Sequence, residues 1–209
     1  MPLSCEVVVL RHGESSANAD GELVGRRDPP LTELGRRQAA GAAEYLVRFG
    51  PRPWRVISSP LVRARETAGI AAGRLGVDVD SDDRLVELDY GDLDGTRFAD
   101  LLAQWPPSWI TDPEVAPPGG EPITVMAART VAAVAEHATV AAAAGETLLV
   151  VTHLGPTKAL VGLATGDLVG AQTRVHISPA SLTRLRVKAQ GHELTATLTA
   201  LNLVAPSQA

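Results

Sequence analysis

The sequence predicts an α/β fold with a largely parallel central sheet and an antiparallel edge. Segments typical of buried strands alternate along the chain with segments of helical periodicity, as in strands joined by crossover helices. The first strand is predicted at Cys5–Leu10, where the letters CEVVVL form a near-continuous apolar run. A run without polar alternation is typical of a strand that is buried on both faces of a parallel sheet.

The elements that follow the first strand continue this alternation. Thr32 is predicted to cap a helix with an apolar stripe, and Trp54–Ser58 is predicted as the second strand. Ser59 is expected to cap the next helix, with Pro60 at its first position. The later elements are a short strand at Val77–Asp80, a long helix from about Pro122 to Ala144, a strand at Thr147–Thr152 and a short helix around Lys158–Leu163.

The end of the chain predicts the antiparallel edge. Apolar and polar residues alternate strictly from Leu194 to Ala200, which is the period of a half-buried strand. Ser181–Val187 is a second strand-like segment close before it. We therefore expect these two segments to pair as a hairpin at one edge of the sheet.

Length and composition limit the function classes. The 209 residues fit one domain, residues 1–209, and the 45% hydrophobic and 21% charged residues are typical of a globular protein. The net charge is −5 and no run of Lys and Arg occurs, so nucleic acid is not expected as a partner. The single cysteine, Cys5, cannot form an intrachain disulfide, which suits a reducing cytoplasm.

The sequence also predicts no membrane partner. The Ala-rich stretch from Ala127 to Gly145 contains Arg129, Glu136 and His137, so it is expected to be a soluble helix. The first strand begins almost at Met1 and leaves no room for a visible signal peptide, so a cytoplasmic location is expected. The sequence leaves a homodimer open.

The stretch from Phe98 through Ala128 differs from the rest of the chain. It has no Lys or Arg, four acidic residues, six prolines and two tryptophans. A long loop of this kind in a compact domain is usually functional or disordered, and the tryptophans argue against disorder. We expect a cap over the site at about residues 96–121, with Trp105 and Trp109 covering the core and not contacting substrate.

Basic and imidazole residues follow three of the predicted strands. Arg11 and His12 follow the first strand, Arg63 follows the second closely, and His153 follows the strand that ends at Thr152. Ligands of open α/β sheets bind just beyond the carboxyl ends of the strands. Neutral imidazole is a nucleophile or base, and arginine binds phosphate oxygens well. The pattern predicts a phosphoryl pocket that contains a histidine nucleophile.

A metal site is not expected, and the sequence predicts no cofactor. His137, His176 and His192 lack the spacing of metal ligands, and neither an HExxH motif nor a cysteine cluster occurs.

Six ordered motifs resemble those of the histidine phosphatase superfamily, also called the phosphoglycerate mutase-like family. The resemblance spans residues 7 to about 183. The matching segments are LRHGES with Asn18, the stretch from Gly25 to Gly35 with Gln38-Ala39, SSPLVRARETA at Ser58–Ala68, Glu87 with Tyr90-Gly91, Pro118–Glu121, and VVTH at Val150–His153. One short motif alone would be weak, but six in the right order are a specific signal. The resemblance implies a three-layer α/β/α sandwich.

The resemblance also implies the roles of the site residues. His12 would be phosphorylated during turnover, and Arg11, Arg63 and His153 would bind the phosphoryl oxygens, with Asn18 alongside. Glu87 would donate the proton to the leaving oxygen. Only the resemblance selects Glu87, because the same loop offers further carboxylates at Asp82, Asp83, Asp89, Asp92 and Asp94.

The expected function is hydrolysis of a small phosphorylated metabolite through a phosphohistidine. Two departures from the family pattern bear on this expectation: Leu154 stands where glycine is usual, and Leu88 follows Glu87 where the mutase branch has arginine. Because the cap segment lacks cations, hydrolysis is favoured over mutase activity, and phosphates of neutral alcohols are the expected substrates. A cofactor-dependent phosphoglycerate mutase and a silent phosphoryl-binding module are the alternatives.

Overall fold

The computed structural model describes residues 3–50, 54–101, 107–190 and 193–205. Within these ranges six strands form one sheet; they are β1 (Leu3–Arg11), β2 (Trp54–Ser58), β3 (Val79–Ser81), β4 (Thr147–Thr152), β5 (Leu182–Gln190) and β6 (Glu193–Leu203). Their order across the sheet is β3-β2-β4-β1-β5-β6. The β1–β4, β2–β4 and β2–β3 pairs are parallel, whereas β5 is antiparallel to both β1 and β6. The predicted sheet with its antiparallel edge is confirmed.

Helices connect the strands and cover both faces of the sheet. They are α1 (Ser16–Ala19), α2 (Glu33–Phe49), α3 (Val62–Leu75), α4 (Phe98–Leu101), α5 (Ser108–Thr111), α6 (Ile123–Ala144), α7 (Leu154–Thr165) and α8 (Leu168–Arg174). The predicted Thr32 cap is present, since its side chain accepts a hydrogen bond from the Gly35 N–H. Four short helices, α1, α4, α5 and α8, were not predicted from the sequence.

The hydrophobic core lies on both faces of β1, as its apolar run predicts. Val7 and Val9 pack into one cluster, which joins the sheet to α6 and α7. Val8 and Leu10 pack into the other, which joins it to α2 and α3. All four side chains are almost fully buried, and full burial of a valine or leucine contributes roughly 1.5–3 kcal/mol. The three-layer α/β/α arrangement is therefore confirmed.

The start of α3 differs from the prediction. Leu61 is the N-cap residue of α3, and it makes no side-chain capping bond. Ser59 does not cap the helix: its hydroxyl accepts a long hydrogen bond from the Leu61 N–H and also bonds to His153. The short contact with His153, at 2.7 Å, makes the Ser59 hydroxyl part of the candidate site.

The described part of the segment between β3 and α6 contributes apolar side chains to the core. Trp109 and Ile110 of α5 are buried in a third cluster with Tyr90, Ile123 and other apolar residues. The rings of Trp109 and Tyr90 meet edge to face, with centroids 5.6 Å apart. Burial of Trp109 against the core agrees with the expectation, whereas Trp105 lies outside the described residues.

Candidate active site

The parallel pairing of β1 with β4 brings two predicted site segments side by side. Arg11 is in register with Thr152, so His12 and His153 follow at neighbouring strand ends. The backbone N–H of His12 donates to the Thr152 carbonyl over 2.9 Å. The two imidazole rings pack edge to face, with centroids 5.1 Å apart. Adjacent strands of a rigid sheet therefore fix the relative position of the two histidines.

His12 is a buried neutral imidazole with one nitrogen directed toward the pocket cations. Its Nδ1 lies 2.7 Å from the Gly13 carbonyl, which can only accept, so Nδ1 carries the proton and Nε2 keeps its lone pair. The Arg63 Nε–H donates to that Nε2 over 3.3 Å. Burial, with Arg11 and Arg63 nearby, holds the pKa of His12 well below its usual range. The ring can act as a nucleophile at neutral pH.

The turn after His12 permits this geometry because Gly13 has no side chain. The backbone of Gly13 lies against the backbone of Gly35 in α2, and a Cβ at Gly13 would lie 2.3 Å from the Gly35 oxygen. The Gly13 N–H donates to the Thr67 hydroxyl of α3 over 3.1 Å. Close backbone packing thus fixes the carbonyl that orients His12.

His153 is fully buried, and Ser59 fixes one of its nitrogens. The Nε2 atom lies 2.7 Å from the Ser59 hydroxyl. The Nδ1 atom is buried and has no hydrogen-bond partner in the described part of the chain. Burial, followed by the charge of Arg63, holds the pKa of His153 well below its usual range. A buried nitrogen without a partner is costly unless a ligand supplies one.

Two arginines flank His12. Arg63 of α3 is 1% exposed and also donates to the carbonyls of Arg27 and Gly25, over 2.8 and 2.9 Å. Arg11 donates from one terminal nitrogen to the Ile177 carbonyl. Its Nε is buried and has no partner within the described residues. The two guanidinium groups place positive charge next to the His12 Nε2.

Glu87 is the carboxylate that the acidic loop places in this pocket. It is 4% exposed, and it lines the same cavity as Arg11, His12 and Arg63. Its Oε2 accepts from the Leu154 N–H and its Oε1 from the Gly155 N–H, each over 3.0 Å, at the start of α7. A Cβ at position 155 would lie 2.4 Å from Oε1, so this contact needs the glycine.

The environment of Glu87 acts on the pKa of its carboxyl in two opposing directions. Burial raises the pKa of its carboxyl, while the backbone N–H of Leu88 and the cations Arg63 and Arg11 oppose that rise. The other acids of the loop lie elsewhere. Asp82 binds Arg84 and His137, Asp94 accepts from three backbone N–H groups, Asp89 is 38% exposed, and Asp83 and Asp92 are exposed.

Asn18 also lines the cavity, but its amide oxygen is engaged in local hydrogen bonds with Ser15. Its Oδ1 accepts from the N–H and the hydroxyl of Ser15, which forms a capping box at the start of α1. The amide nitrogen is left to donate toward a ligand. The cavity has a volume of about 190 Å³, and Leu154 forms part of its wall. His153, whose ring packs against that of His12, is not among the lining residues.

Sequence reasoning missed Arg129, which supports the Glu87 loop. This α6 residue donates to the carbonyls of Arg84, Val86 and Glu87 over 2.7–2.9 Å. It also forms an ion pair with Glu121 at 2.6 Å. The Glu121 carboxylate in turn accepts from the Asp89 N–H over 3.0 Å. The only signal in the sequence was Glu121, the acid of the Pro118–Glu121 motif. Its ion-pair partner, Arg129, lies eight residues later in α6.

No group of three or more His, Cys, Asp or Glu side chains within the described ranges could hold a metal ion. Among the described helices, none is both long and apolar enough to cross a membrane.

Comparison with known proteins identifies the family. The model of the histidine phosphatase superfamily (branch 1) matches residues 7–198, and the chain belongs to this family. The chain is 37% identical over 188 residues to a bifunctional protein of Mycobacterium tuberculosis, and the match covers 88% of this chain and 51% of that protein. The chain thus spans about half the length of the first curated relatives it matches.

Two other relatives carry enzyme names. A 2,3-bisphosphoglycerate-dependent phosphoglycerate mutase of Xanthobacter autotrophicus is 34% identical over 162 residues, with 74% of this chain and 78% of that protein covered. The structure of a mycobacterial glucosyl-3-phosphoglycerate phosphatase with VO3 matches with a TM-score of 0.84 and 31% identity, over 95% of this chain and 99% of that chain. Family and relatives together support a phosphatase or a mutase activity.

Proposed function

We propose that this protein is a phosphomonoester hydrolase that acts on a small phosphorylated metabolite through a phosphohistidine at His12. One observation carries the proposal: the His12 Nε2 keeps a lone pair beside Arg63, while Arg11 and a second imidazole lie close to the same ring. Two buried nitrogens nearby, the Arg11 Nε and the His153 Nδ1, lack partners among the described residues, and His153 Nδ1 is a donor in the tautomer whose Nε2 accepts from the Ser59 hydroxyl. A phosphoryl group offers the oxygens that such donors need.

In the first step, the His12 Nε2 attacks phosphorus. The new N–P bond forms while the bond from phosphorus to the ester oxygen breaks. Arg11, Arg63 and His153 stabilise the charge on the three phosphoryl oxygens, and Asn18 adds a donor. Glu87 gives its proton to the departing oxygen, which supports a rate gain on the order of 10²–10⁴. Its raised pKa favours the protonated form that this step requires.

In the second step, water attacks the phosphorus of phosphohistidine. The N–P bond breaks, a new O–P bond forms, and the Glu87 carboxylate takes a proton from the water. The backbone N–H groups at the start of α7 and the nearby cations stabilise the ionised carboxylate between the two steps. The cycle returns His12 to its neutral form and Glu87 to its acid form without any added cofactor.

The similarity to phosphoglycerate mutases favours a second candidate, in which an alcohol and not water accepts the phosphoryl group. Such transfer needs groups that retain the intermediate, and the two arginines of the loop after Asn18 are engaged in ion pairs. Arg26 forms an ion pair with Glu121, and Arg27 forms one with Glu22. With these arginines paired and no Lys or Arg in the cap segment, water is the favoured acceptor.

The test is a panel of phosphomonoesters that is assayed for release of inorganic phosphate, with His12→Ala as the inactive reference. We expect release by the parent protein and none above background by the variant. Conversion of 3-phosphoglycerate to 2-phosphoglycerate, primed with 2,3-bisphosphoglycerate, is followed in parallel. Isomerisation at a rate similar to phosphate release would favour the mutase, and neither activity would favour a silent binding module.

A further inference from the structure

The side chain of Ser59 connects the end of β2 to the second histidine of the site. Ser59 follows β2 directly, and its backbone N–H donates to the Val151 carbonyl of β4 over 3.0 Å. Its hydroxyl lies 2.7 Å from the His153 Nε2 and accepts from the Leu61 N–H over 3.3 Å. Both Ser59 and His153 are fully buried, so bulk water does not reach the hydroxyl or the ring.

The donors and acceptors of this cluster determine where its hydrogen atoms lie. A serine hydroxyl carries one hydrogen atom, and the Leu61 N–H, which can only donate, uses a lone pair of the oxygen. Within the described ranges, the only acceptor in contact with this hydroxyl is the His153 Nε2. A buried hydroxyl whose hydrogen has no acceptor is unfavourable. The Ser59 O–H therefore donates to Nε2, which must carry a lone pair.

This bond fixes the tautomer of His153. The ring is neutral, because burial and then the charge of Arg63 hold the pKa of His153 well below its usual range. A neutral imidazole has one protonated nitrogen, and Nε2 is the unprotonated one. The proton is therefore on Nδ1, the nitrogen that has no hydrogen-bond partner in the described part of the chain.

The two histidines of the site share a tautomer but offer opposite groups. His12 also carries its proton on Nδ1, where the Gly13 carbonyl accepts it, so its lone pair is on Nε2. In His153 the hydroxyl of Ser59 occupies Nε2, so the nitrogen that remains is an N–H donor. A lone pair suits a nucleophile, whereas phosphoryl oxygens need donors. The partner of each ring, a carbonyl or a hydroxyl, thus decides its role.

We propose that Ser59 is a positioning residue whose hydroxyl holds His153 in the Nδ1–H tautomer and so makes that ring a donor to the transferring phosphoryl group. This proposal rests on the proposed function, which assigns His153 to the phosphoryl oxygens. Nδ1 is the nitrogen left for that contact, since Ser59 occupies Nε2. Without the hydroxyl, the proton can move to Nε2, and Nδ1 would then meet the phosphoryl oxygens with a lone pair.

The direct test is NMR of the parent protein labelled with ¹⁵N in its histidines, because protonated and unprotonated imidazole nitrogens differ widely in ¹⁵N chemical shift. His153→Gln assigns the ring by the loss of its signals. We expect a protonated Nδ1 in His153, with an N–H signal that shifts when inorganic phosphate is added. A proton on Nε2 overturns the proposal. An unchanged Nδ1–H signal, while phosphate shifts the signals of His12, overturns it as well.

The kinetic test is Ser59→Ala, with Ser58→Ala as the matched control. The Ser58 hydroxyl is equally buried, but it donates to the Ser59 carbonyl over 2.9 Å. We expect Ser59→Ala to lower kcat about 10²- to 10³-fold on all substrates, the usual loss for one donor to transition-state charge. Its His153 proton should move in part to Nε2, whereas Ser58→Ala should keep the activity and the tautomer of the parent.

Ser59→Cys keeps a weaker donor and should lie between the parent and Ser59→Ala; it also serves if the alanine variant does not fold. Equal kcat values of the Ser59 and Ser58 variants overturn the proposal. Absence of phosphate release by the parent from every substrate contradicts the proposed function, while the NMR result on the parent still decides the tautomer that Ser59 imposes.

Discussion

The phosphoryl side of the site and its leaving-group side use their polar atoms in different ways. On the phosphoryl side, Arg63 is buried with hydrogen bonds from all three of its nitrogens, and the Gly13 carbonyl fixes the tautomer of His12. On the leaving-group side we place the adjoining cavity of about 150 Å³, which shares Leu23, Tyr90, Phe98 and Leu154 with the pocket of His12. Its walls are largely apolar, and Lys158, which lines it, makes one hydrogen bond to a backbone carbonyl. One side is therefore fixed by a dense hydrogen-bond network, whereas the other is lined mainly by apolar side chains.

This difference separates two properties of the enzyme. A preorganised cluster of donors around a nucleophile determines the type of reaction, because it stabilises charge wherever a phosphoryl group is transferred. The apolar space beside it determines which alcohol is accepted, and a few side chains are enough to change that choice. Substitutions on the phosphoryl side should thus reduce kcat for every substrate, and those on the leaving-group side should act selectively.

The largest effect is expected for His12→Ala. Removal of the nucleophile should lower kcat about 10⁴-fold or more on all substrates, as in other enzymes that lose a covalent nucleophile. His176→Ala, on an exposed histidine, is the matched control and should retain parent activity. Steady-state phosphate release measures both. A His12→Ala variant that folds and retains even a tenth of the activity would contradict the assignment.

Glu87→Gln should lower kcat about 10²- to 10⁴-fold for alkyl phosphates, because their leaving oxygen needs the proton. The loss should be far smaller for p-nitrophenyl phosphate, whose leaving group is stable as an anion. Asp89→Asn is the control from the same loop. Equal losses on both kinds of substrate would point to a different acid.

The pH dependence provides an independent test of the same residue. Burial raises the pKa of Glu87, and the protonated form is the active one in the first step. When that step limits turnover of an alkyl phosphate, kcat should fall as the pH rises through this pKa. Glu87→Gln should remove this limb of the profile, and its persistence in the variant would exclude Glu87 as its source.

Arg63→Lys should lower kcat about 10²- to 10³-fold, the usual loss for one preorganised donor to transition-state charge. Lysine keeps the charge but lacks the planar guanidinium, whose three nitrogens donate to the His12 Nε2 and to the carbonyls of Arg27 and Gly25. Arg65→Lys, on the exposed face of the same helix, is the control. Equal behaviour of the two variants in the phosphatase assay would show that the fork is dispensable.

The smallest effect is expected on removal of metal ions. Arginines and histidines supply the positive charge and the donors in the proposed mechanism, so dialysis against EDTA should change kcat by less than twofold. Phosphate release before and after chelation measures this. Full loss that is restored by added Mg²⁺ would require a different origin for the charge stabilisation.

The phosphoryl side could largely be predicted from the sequence. Arg11, His12 and His153 stand at or just after the carboxyl ends of apolar strands. Because β1 and β4 are parallel neighbours, their carboxyl ends bring these residues together. Glu87 could be selected only through the family resemblance. The same loop contains five other acids, and the local sequence does not distinguish Glu87 from them. Its distinct burial arises from the start of α7, which lies more than sixty residues further along the chain.

The parts that could not be predicted depend on contacts between distant segments. Ser59 appeared as a helix cap, but the His153 imidazole binds its hydroxyl. Arg129 supports the Glu87 loop through backbone carbonyls, which leave no pattern in a sequence. Lys158 of α7 lines one cavity together with Leu23 and Trp109, which come from distant parts of the chain. Local patterns indicate elements, whereas tertiary packing decides which polar atoms meet.

The central claim is that His12 carries the phosphoryl group during turnover, and rapid quenching tests it most directly. The protein is mixed with ³²P-labelled substrate for milliseconds and quenched in base, in which phosphohistidine survives. Peptide mapping then locates the label. We predict label on His12 that is stable in base and lost in acid, is stoichiometric with the active sites, and decays at the rate of phosphate release. Turnover without labelled protein, or label on any other residue, would contradict the mechanism.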